Sequence, residues 1–228
     1  IDSFSPGSFP TDDATSVTIT GTNFGVAATA NAISATYQNT TALNLAGSLY
    51  EATGCAVSVA HTEITCLSVA DGVGRDLKWK VNVGDQQSLA SSATTSYDGP
   101  AISGLSGLSS FKTDGSDSDL VTITGTNFGV DDGENVAIAV YQNAGLSSAY
   151  AKGEFAAREC AVSEAHTKIT CKPASAGAGK LQAWKVTVGD QQSSASSDTT
   201  SYTVPAITGL SGLSSFETDG SCLLYTSP

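Results

Sequence analysis

Ten residues, Val17-Thr18-Ile19-Thr20-Gly21-Thr22-Asn23-Phe24-Gly25-Val26, return unchanged at 121–130. The interval is about that of one small domain, so each copy has to close its own core within roughly 100 residues. Val17 and Ile19 alternate with Thr18 and Thr20, the period of a half-buried strand made of β-branched residues. Gly21 and Gly25 bracket Phe24, which predicts a strand that ends in a tight turn and tucks an aromatic beneath itself. The expected role of this stretch is to hold one sandwich together, with no ligand contact of its own.

The rest of the chain repeats with it. Pro100 to Ser116 reads the same as Pro205 to Ser221 except at Thr208 and Glu217. The expected domains are therefore 1–99 and 100–204, with a third repeat beginning at 205–221. Ile1 aligns with Ile102 and Ile207 and reads as a cut edge within an array, since the 228 residues contain no Met. The tail 222–228, Cys-Leu-Leu-Tyr-Thr-Ser-Pro, resembles a translated sequencing adapter, so Cys222 is expected to carry no function.

The other four cysteines recur as pairs. Cys55 and Cys66 enclose a loop that differs from the one between Cys160 and Cys171 only at Val59/Glu164 and Glu63/Lys168. One pair per domain at fixed spacing predicts the disulfides Cys55–Cys66 and Cys160–Cys171, hence an oxidising compartment. The rival is a metal held by Cys55, His61 and Cys66. It lacks a fourth ligand and the close ligand pairs of zinc sites. No metal or other cofactor is expected.

Short alternating runs separated by Gly, Asp and Asn predict an all-β chain. Expected strands in the first repeat are 1–4, 16–24, 32–37, 62–69, 77–83 and 92–97, with Cys55 near a strand edge. In 77–83, Trp79, Val81 and Val83 face one way and Lys78, Lys80 and Asn82 the other; Gly84-Asp85 makes the hairpin turn. Trp184, Val186, Val188 and Gly189-Asp190 follow suit. About seven strands per repeat imply an immunoglobulin-like β-sandwich. Tyr97 and Pro100 nearly touch in sequence, as do Tyr202 and Pro205, with no Ser/Gly tether between them. Neighbouring sandwiches should hold a fixed relation, giving a rod-like array.

At this point the chain resembles the IPT/TIG domains, immunoglobulin-like domains shared by plexins and some transcription factors. The resemblance rests on the opening Ile, Thr-Asp-Gly at 113–115, Val-Thr-Ile-Thr-Gly-Thr-Asn-Phe-Gly, the Cys…Ile-Thr-Cys pair, Trp-Lys-Val-x-Val-Gly-Asp-Gln-Gln-Ser, and the closing Ser-Tyr before a Pro. It covers nearly all of 1–221 and departs at Asp12-Asp13, where Gly is usual. It implies an early-set sandwich with one disulfide per domain. Tandem copies of this kind are similar to those of extracellular receptors, surface proteins and some carbohydrate-active enzymes. The transcription-factor branch brings basic DNA-contacting loops, which this chain lacks.

Net charge is −12 and the acids are dispersed, which excludes a phosphate-binding stripe and so a nucleic-acid partner. No run approaches the roughly 20 apolar residues of a membrane span. No catalytic constellation is present: the only histidines, His61 and His166, are equivalent positions in the Cys loops. Asp114, Asp117 and Asp119, or Asp131, Asp132 and Glu134, offer oxygen ligands for Ca²⁺, but solvated loop acids explain them better. Asn39-Thr40-Thr41 is an N-glycosylation sequon, absent at Asn143-Ala144-Gly145. The Ser/Thr runs at 88–96 and 193–201 offer O-glycan sites, though strand and turn polarity accounts for them more simply.

Two surfaces stand out as interface candidates. Ile138 and Val140 replace Ser34 and Thr36, placing apolar residues on both faces of a strand. Leu105, Leu108 and Phe111 need burial, either in their own domain, the favoured reading, or against the preceding repeat. The leading functional expectation is a structural repeat of a secreted or cell-surface filament, stalk or coat that associates with itself or its neighbours. The alternative is a receptor or adhesin ectodomain that binds protein or glycan, because the copies diverge at 26–54 against 130–159. A third reading, accessory domain of a carbohydrate-active enzyme, fits near-identical repeats less well.

Overall fold

The computed structural model describes residues 1–27, 32–39, 49–115, 119–132, 137–144 and 153–211. Thr40, Thr41, Asp117, Glu134, Gly145 and the whole of 212–228, including Cys222 and most of the third-repeat stretch, lie outside the described residues.

Among the described residues the secondary structure is all strand. The first repeat contains β1 (Ser3–Ser5), β2 (Ser8–Phe9), β3 (Ser16–Thr20), β4 (Ile33–Gln38), β5 (Tyr50–Val59), β6 (Glu63–Leu67), β7 (Lys78–Val83), β8 (Gln86–Gln87) and β9 (Ser96–Tyr97). They hydrogen-bond in the order β1-β3-β6-β5-β4-β7-β8, with β2 pairing β9 in parallel. The sheet curls because β5 serves both layers. Its start pairs β4 through Tyr37↔Tyr50, and its end pairs β6 through Val57↔Ile64. The register slips between Thr53 and Ala56, where Gly54 takes φ +61°; such a bulge bends a strand from one layer toward the other.

The second repeat contains β10 (Ala101–Gly107), β11 (Ser110–Phe111), β12 (Val121–Thr126), β13 (Ile138–Asn143), β14 (Phe155–Ala156), β15 (Arg158–Glu164), β16 (Lys168–Lys172), β17 (Gln182–Val188), β18 (Gln191–Gln192) and β19 (Thr199–Tyr202). Here the long bent strand is split at Ala157 into β14 and β15. This leaves two layers, β10-β12-β16-β15 and β11-β19-β17-β13-β14. Both repeats are immunoglobulin-like sandwiches.

Alternation builds each core. Val17, Ile19, Val57 and Ile64 face Ala35, Tyr37, Trp79 and Val81 in the first; Val121, Ile123, Val162 and Ile169 face Ala139, Tyr141, Trp184 and Val186 in the second. The ring of Tyr37 stacks on Trp79 at 4.2 Å, and that of Tyr141 on Trp184 at 4.3 Å. Each indole N–H donates to a threonine hydroxyl, Trp79 to Thr95 at 2.8 Å and Trp184 to Thr200 at 2.9 Å, so neither buries an unsatisfied donor. The paired phenols Tyr37–Tyr97 (2.7 Å) and Tyr141–Tyr202 (2.6 Å) close the base of each core.

The expected strand at 92–97 is only Ser96–Tyr97. Serine side chains take over part of the pairing on that edge. Trp79 N–H donates to Ser91 Oγ and Val81 N–H to Ser88 Oγ, each at 3.0 Å. Ser196 and Ser193 do the same for Trp184 and Val186. The expected strand at 1–4 is displaced to Ser3–Ser5, and the parallel pairing of Ser8-Phe9 with Ser96-Tyr97 was not anticipated.

Candidate functional site

The opening decapeptide and the histidine turn form one unit. In the first copy, Gly21 N–H donates to Thr62 O, Phe24 N–H to His61 O and His61 N–H to Gly25 O. The second copy repeats the pattern through Gly125, Phe128 and His166. Phe24 and Phe128 are buried, and a Cβ on Gly21 or Gly125 would lie 2.6 or 2.4 Å from the phenyl ring. A glycine is therefore required where the ring folds back. Asn23 and Asn127, His61 and His166, and Asp85 and Asp190 all take positive φ, a conformation that Asn and Asp tolerate better than most residues. Three tight turns thus crown one end of each sandwich; we call this end the head. The opposite end, the foot, carries the residues after β2, the β6–β7 loop and the end of β9.

The head of the second sandwich sits on the foot of the first. Asn127 Nδ2 donates to Gly99 O at 3.1 Å. Gln191 Nε2 donates to Tyr97 O at 2.9 Å and to Gly74 O at 3.3 Å. His166 is gripped on both ring nitrogens: Nε2 lies 2.9 Å from Asp71 Oδ1 and Nδ1 lies 3.0 Å from Thr11 Oγ1. With Nε2–H donating to Asp71, the neutral ring accepts from the threonine hydroxyl. A protonated ring donates at Nδ1 instead, and the hydroxyl then turns to Asn127 Oδ1, 3.5 Å away. The joint is tight enough to exclude a side chain, since a Cβ on Gly189 would lie 2.4 Å from Gly74 N.

Val73 makes the joint apolar at its centre. It belongs to the first repeat, yet it is buried with the core of the second. Tyr50 fixes its position: the phenol accepts from Val73 N–H at 3.0 Å and donates to Val73 O at 2.9 Å. Identical residues therefore have different surroundings in the two copies. His61, Gly84, Asp85 and Gln86 are exposed, whereas His166 is 14% exposed and Gly189 is buried. The joint gives physical content to the expectation of a short, fixed connection. It also adds a role to the decapeptide, whose Asn127 contacts the preceding repeat.

The residues singled out from sequence lie elsewhere. Phe111 is fully buried in the core of its own sandwich and Leu105 packs against that core, while Leu108 is 44% exposed. Ile138 and Val140 lie on the outer face of β13, away from Ala139 and Tyr141; the hydrogen bonds of Leu105, Leu108 and Phe111 stay within the second sandwich. Val140 pairs with Ala156 and Lys185 of its own sandwich. Of the missed residues, Asn127, His166, Gly189 and Gln191 carried one signal, the identity of the Asn, His and Gly-Asp-Gln turns between copies; Thr11, Asp71 and Val73 lie outside those turns, and Asp71 and Val73 are replaced by Ala176 and Ala178 in the second copy.

Cys55–Cys66 and Cys160–Cys171 are disulfide-bonded. Each joins neighbouring strands of one layer, β5 to β6 and β15 to β16, and so closes a hairpin. The cysteines of the rival metal site are thus spent as a covalent bond. No group of three His, Cys, Asp or Glu side chains gathers among the described residues. Asp119 is buried and accepts from Lys112 N–H at 3.0 Å. Asn39 Nδ2 donates to Arg75 O at 2.8 Å, and Asn143 makes the matching bond to Lys180 O. The sequon asparagine thus shares a structural bond with a copy that has no sequon. Hydroxyls of Ser91, Thr95, Ser193, Ser196 and Thr200 are buried, so these members of the Ser/Thr runs act inside the fold.

Burial sets the ionisation of the core phenols. Desolvation raises Tyr37, Tyr97 and Tyr202 above the ordinary phenol range, which keeps these hydroxyls neutral as partners of one another.

Residues 1–97 match the IPT/TIG domain family. No curated protein matches the chain.

Proposed function

We propose that this chain is a structural segment of a secreted or cell-surface filament, stalk or coat, built from repeats at 1–99 and 100–204 and continued by the repeat that begins at 205. The joint carries this reading. Its contacts come from both backbones and from side chains on three separate turns, an arrangement that resists swinging and fixes the step between repeats. IPT/TIG domains have an immunoglobulin-like fold often found in extracellular or receptor proteins and are typically non-enzymatic. The two disulfides fit an oxidising, extracellular setting. The partners proposed are neighbouring repeats and further copies of the chain, with glycans at Asn39. Nucleic acid is disfavoured by the charge of −12.

Electron microscopy of the native material tests this. Regular filaments with an axial repeat of one or two sandwiches are expected. A monodisperse monomer that binds a defined ligand would sink the proposal.

One observation favours a receptor or adhesin instead. The copies diverge at 26–54 against 130–159 while holding their heads constant. A ligand surface there would vary independently of the joint. Retained ligand binding by a variant with a broken joint would favour this reading.

A further inference from the structure

Positive charge in the first sandwich is confined to one place. Residues 1–99 hold nine Asp and Glu but only three cations, Arg75, Lys78 and Lys80. Arg75 pairs with Asp76 at 3.6 Å. Lys78 and Lys80 make no ion pair among the described residues, and alternation sets both on the outer face of β7. Across the ladder they oppose Gln38 and Thr36 of β4. These four, with Leu49 and Gln87, line a groove of about 390 Å³. Both lysines are half-buried, so their stems lie along the sheet while the ammonium groups remain wet.

The second sandwich lacks this arrangement. Ala183 stands for Lys78, Val140 for Thr36 and Glu154 for Leu49. Glu154 pairs with Lys185, the counterpart of Lys80, at 3.5 Å. The same face is there neutralised, whereas in the first sandwich two cations stand free in an otherwise acidic domain.

We propose that this groove of the first sandwich binds an acidic carbohydrate, a sugar chain that bears carboxylate or sulfate groups. Charge complementarity selects an anion. Topology selects against a peptide strand: β4 lies between β5 and β7, and β7 between β4 and β8. Their backbone groups are already paired, so no extended peptide can add to them as a strand. Recognition falls to side chains. The amides of Gln38 and Gln87 and the hydroxyl of Thr36 offer donors and acceptors to sugar hydroxyls. The lysines stand two residues apart on one strand, about 7 Å, and meet separate anionic groups of one chain. Leu49 is 57% exposed and offers an apolar surface to a sugar ring. Glu51 opposes Thr36 on the side away from Lys80, which confines the anionic groups to the β7 side of the groove.

This deepens the receptor or adhesin reading and rests on it for its biological setting. The filament reading is tested separately, because none of these side chains takes part in the bonds of the joint. Isothermal titration of the full chain with oligogalacturonate, sulfated dextran oligosaccharide, neutral dextran and poly-glutamate decides. One or both acidic sugars are expected to bind with Kd at or below about 1 mM, more weakly as salt rises, and neutral dextran is expected not to bind. Which of the two binds distinguishes carboxylate from sulfate. Lys78→Gln and Lys80→Gln together keep the stems and should weaken sugar binding about tenfold, with an unchanged thermal melt as the check on folding. Gln38→Ala should weaken sugar binding as well, and Lys185→Gln should leave it unchanged. A wild-type chain that binds neither acidic sugar overturns the proposal; the receptor reading then rests on a protein ligand. Equal loss in Lys185→Gln, or no loss in the double variant, also overturns it. Poly-glutamate bound as tightly as the sugars would assign the face to an acidic protein instead.

Discussion

Replacing Gly189 by alanine separates the energy of the joint from that of its hairpin, because Gly84 supplies the control. The two glycines share sequence context and backbone, with φ +56° and +55°. An alanine in that left-handed conformation costs about 1–2 kcal/mol. At Gly84 nothing lies within 4 Å of an added Cβ, so Gly84→Ala should cost that amount and no more. At Gly189 the Cβ would lie 2.4 Å from Gly74 N, 2.8 Å from Gly74 Cα and 3.1 Å from Val73 C. These are backbone atoms and cannot rotate away, so the joint has to open. Opening loses the bonds from Gln191 to Tyr97 and Gly74, each worth about 1 kcal/mol net. It also exposes part of Val73, whose full burial is worth about 1.5–3 kcal/mol. Gly189→Ala should therefore cost about 2–4 kcal/mol beyond the control. Urea unfolding followed by tryptophan fluorescence measures both variants, since Trp79 and Trp184 are each buried in one core. Small-angle scattering should show a looser pair of sandwiches for Gly189→Ala only. Equal losses in the two variants would refute the tight joint.

Reduction should lower the urea midpoint. Each disulfide closes a loop with a separation of 11 residues, worth about 3 kcal/mol in the chain-entropy model; an unchanged midpoint would argue against it. Thr95→Val removes the acceptor of the Trp79 indole and should cost about 1–3 kcal/mol by thermal melt, with Thr200→Val matching it in the second core. Stability should also fall in alkali. Burial raises Tyr97 above its unfolded value near 10, so its contribution is full below about pH 10 and is lost as pH rises through the folded value. Unfolding midpoints taken from about pH 8 to 11 check the sign, and a flat profile through 10 would contradict it.

The strand at 78–83 was legible because antiparallel strands with one wet face alternate, and Trp79, Val81 and Lys80 obey that rule without exception. The Gly-Asp turn and the cysteine pairing were legible for similar reasons, being local in sequence. What escaped notice was non-local. β5 extends back to Tyr50 through Gly54, and a strand that changes layer at a bulge shows no single period. Ser8-Phe9 is too short to show any period, yet it stitches the first strand region to Tyr97. The Ser/Thr run at 88–96 reads as strand and turn polarity, and composition does not reveal that Ser88 and Ser91 accept from β7. The joint was hidden by the repeat itself. His61 and His166 are the same residue in the same turn, and only the three-dimensional arrangement shows that one is gripped and the other exposed.

That difference bears on how an array of such repeats would be tuned. The heads are constant: Asn23 and Asn127, His61 and His166, and both Gly-Asp-Gln tips agree. The feet vary: Asp71 becomes Ala176, Val73 becomes Ala178, and Gly99 becomes Val204. Both feet keep the threonine, the glycine of φ about +120° at 74 and 179, and the buried tyrosine. Exchanging an acid for alanine in the foot removes the charged half of the histidine grip without disturbing the shape that receives the glycine tip. The foot positions that differ between copies therefore lie in the β6–β7 loop and just after β9, where they change what a histidine or asparagine of a neighbouring head would meet. The decapeptide, which has to hold Phe24 or Phe128 beneath its glycine and also present an asparagine to the neighbour, has no such latitude. Its identity between copies follows from serving the core and the joint with the same ten residues.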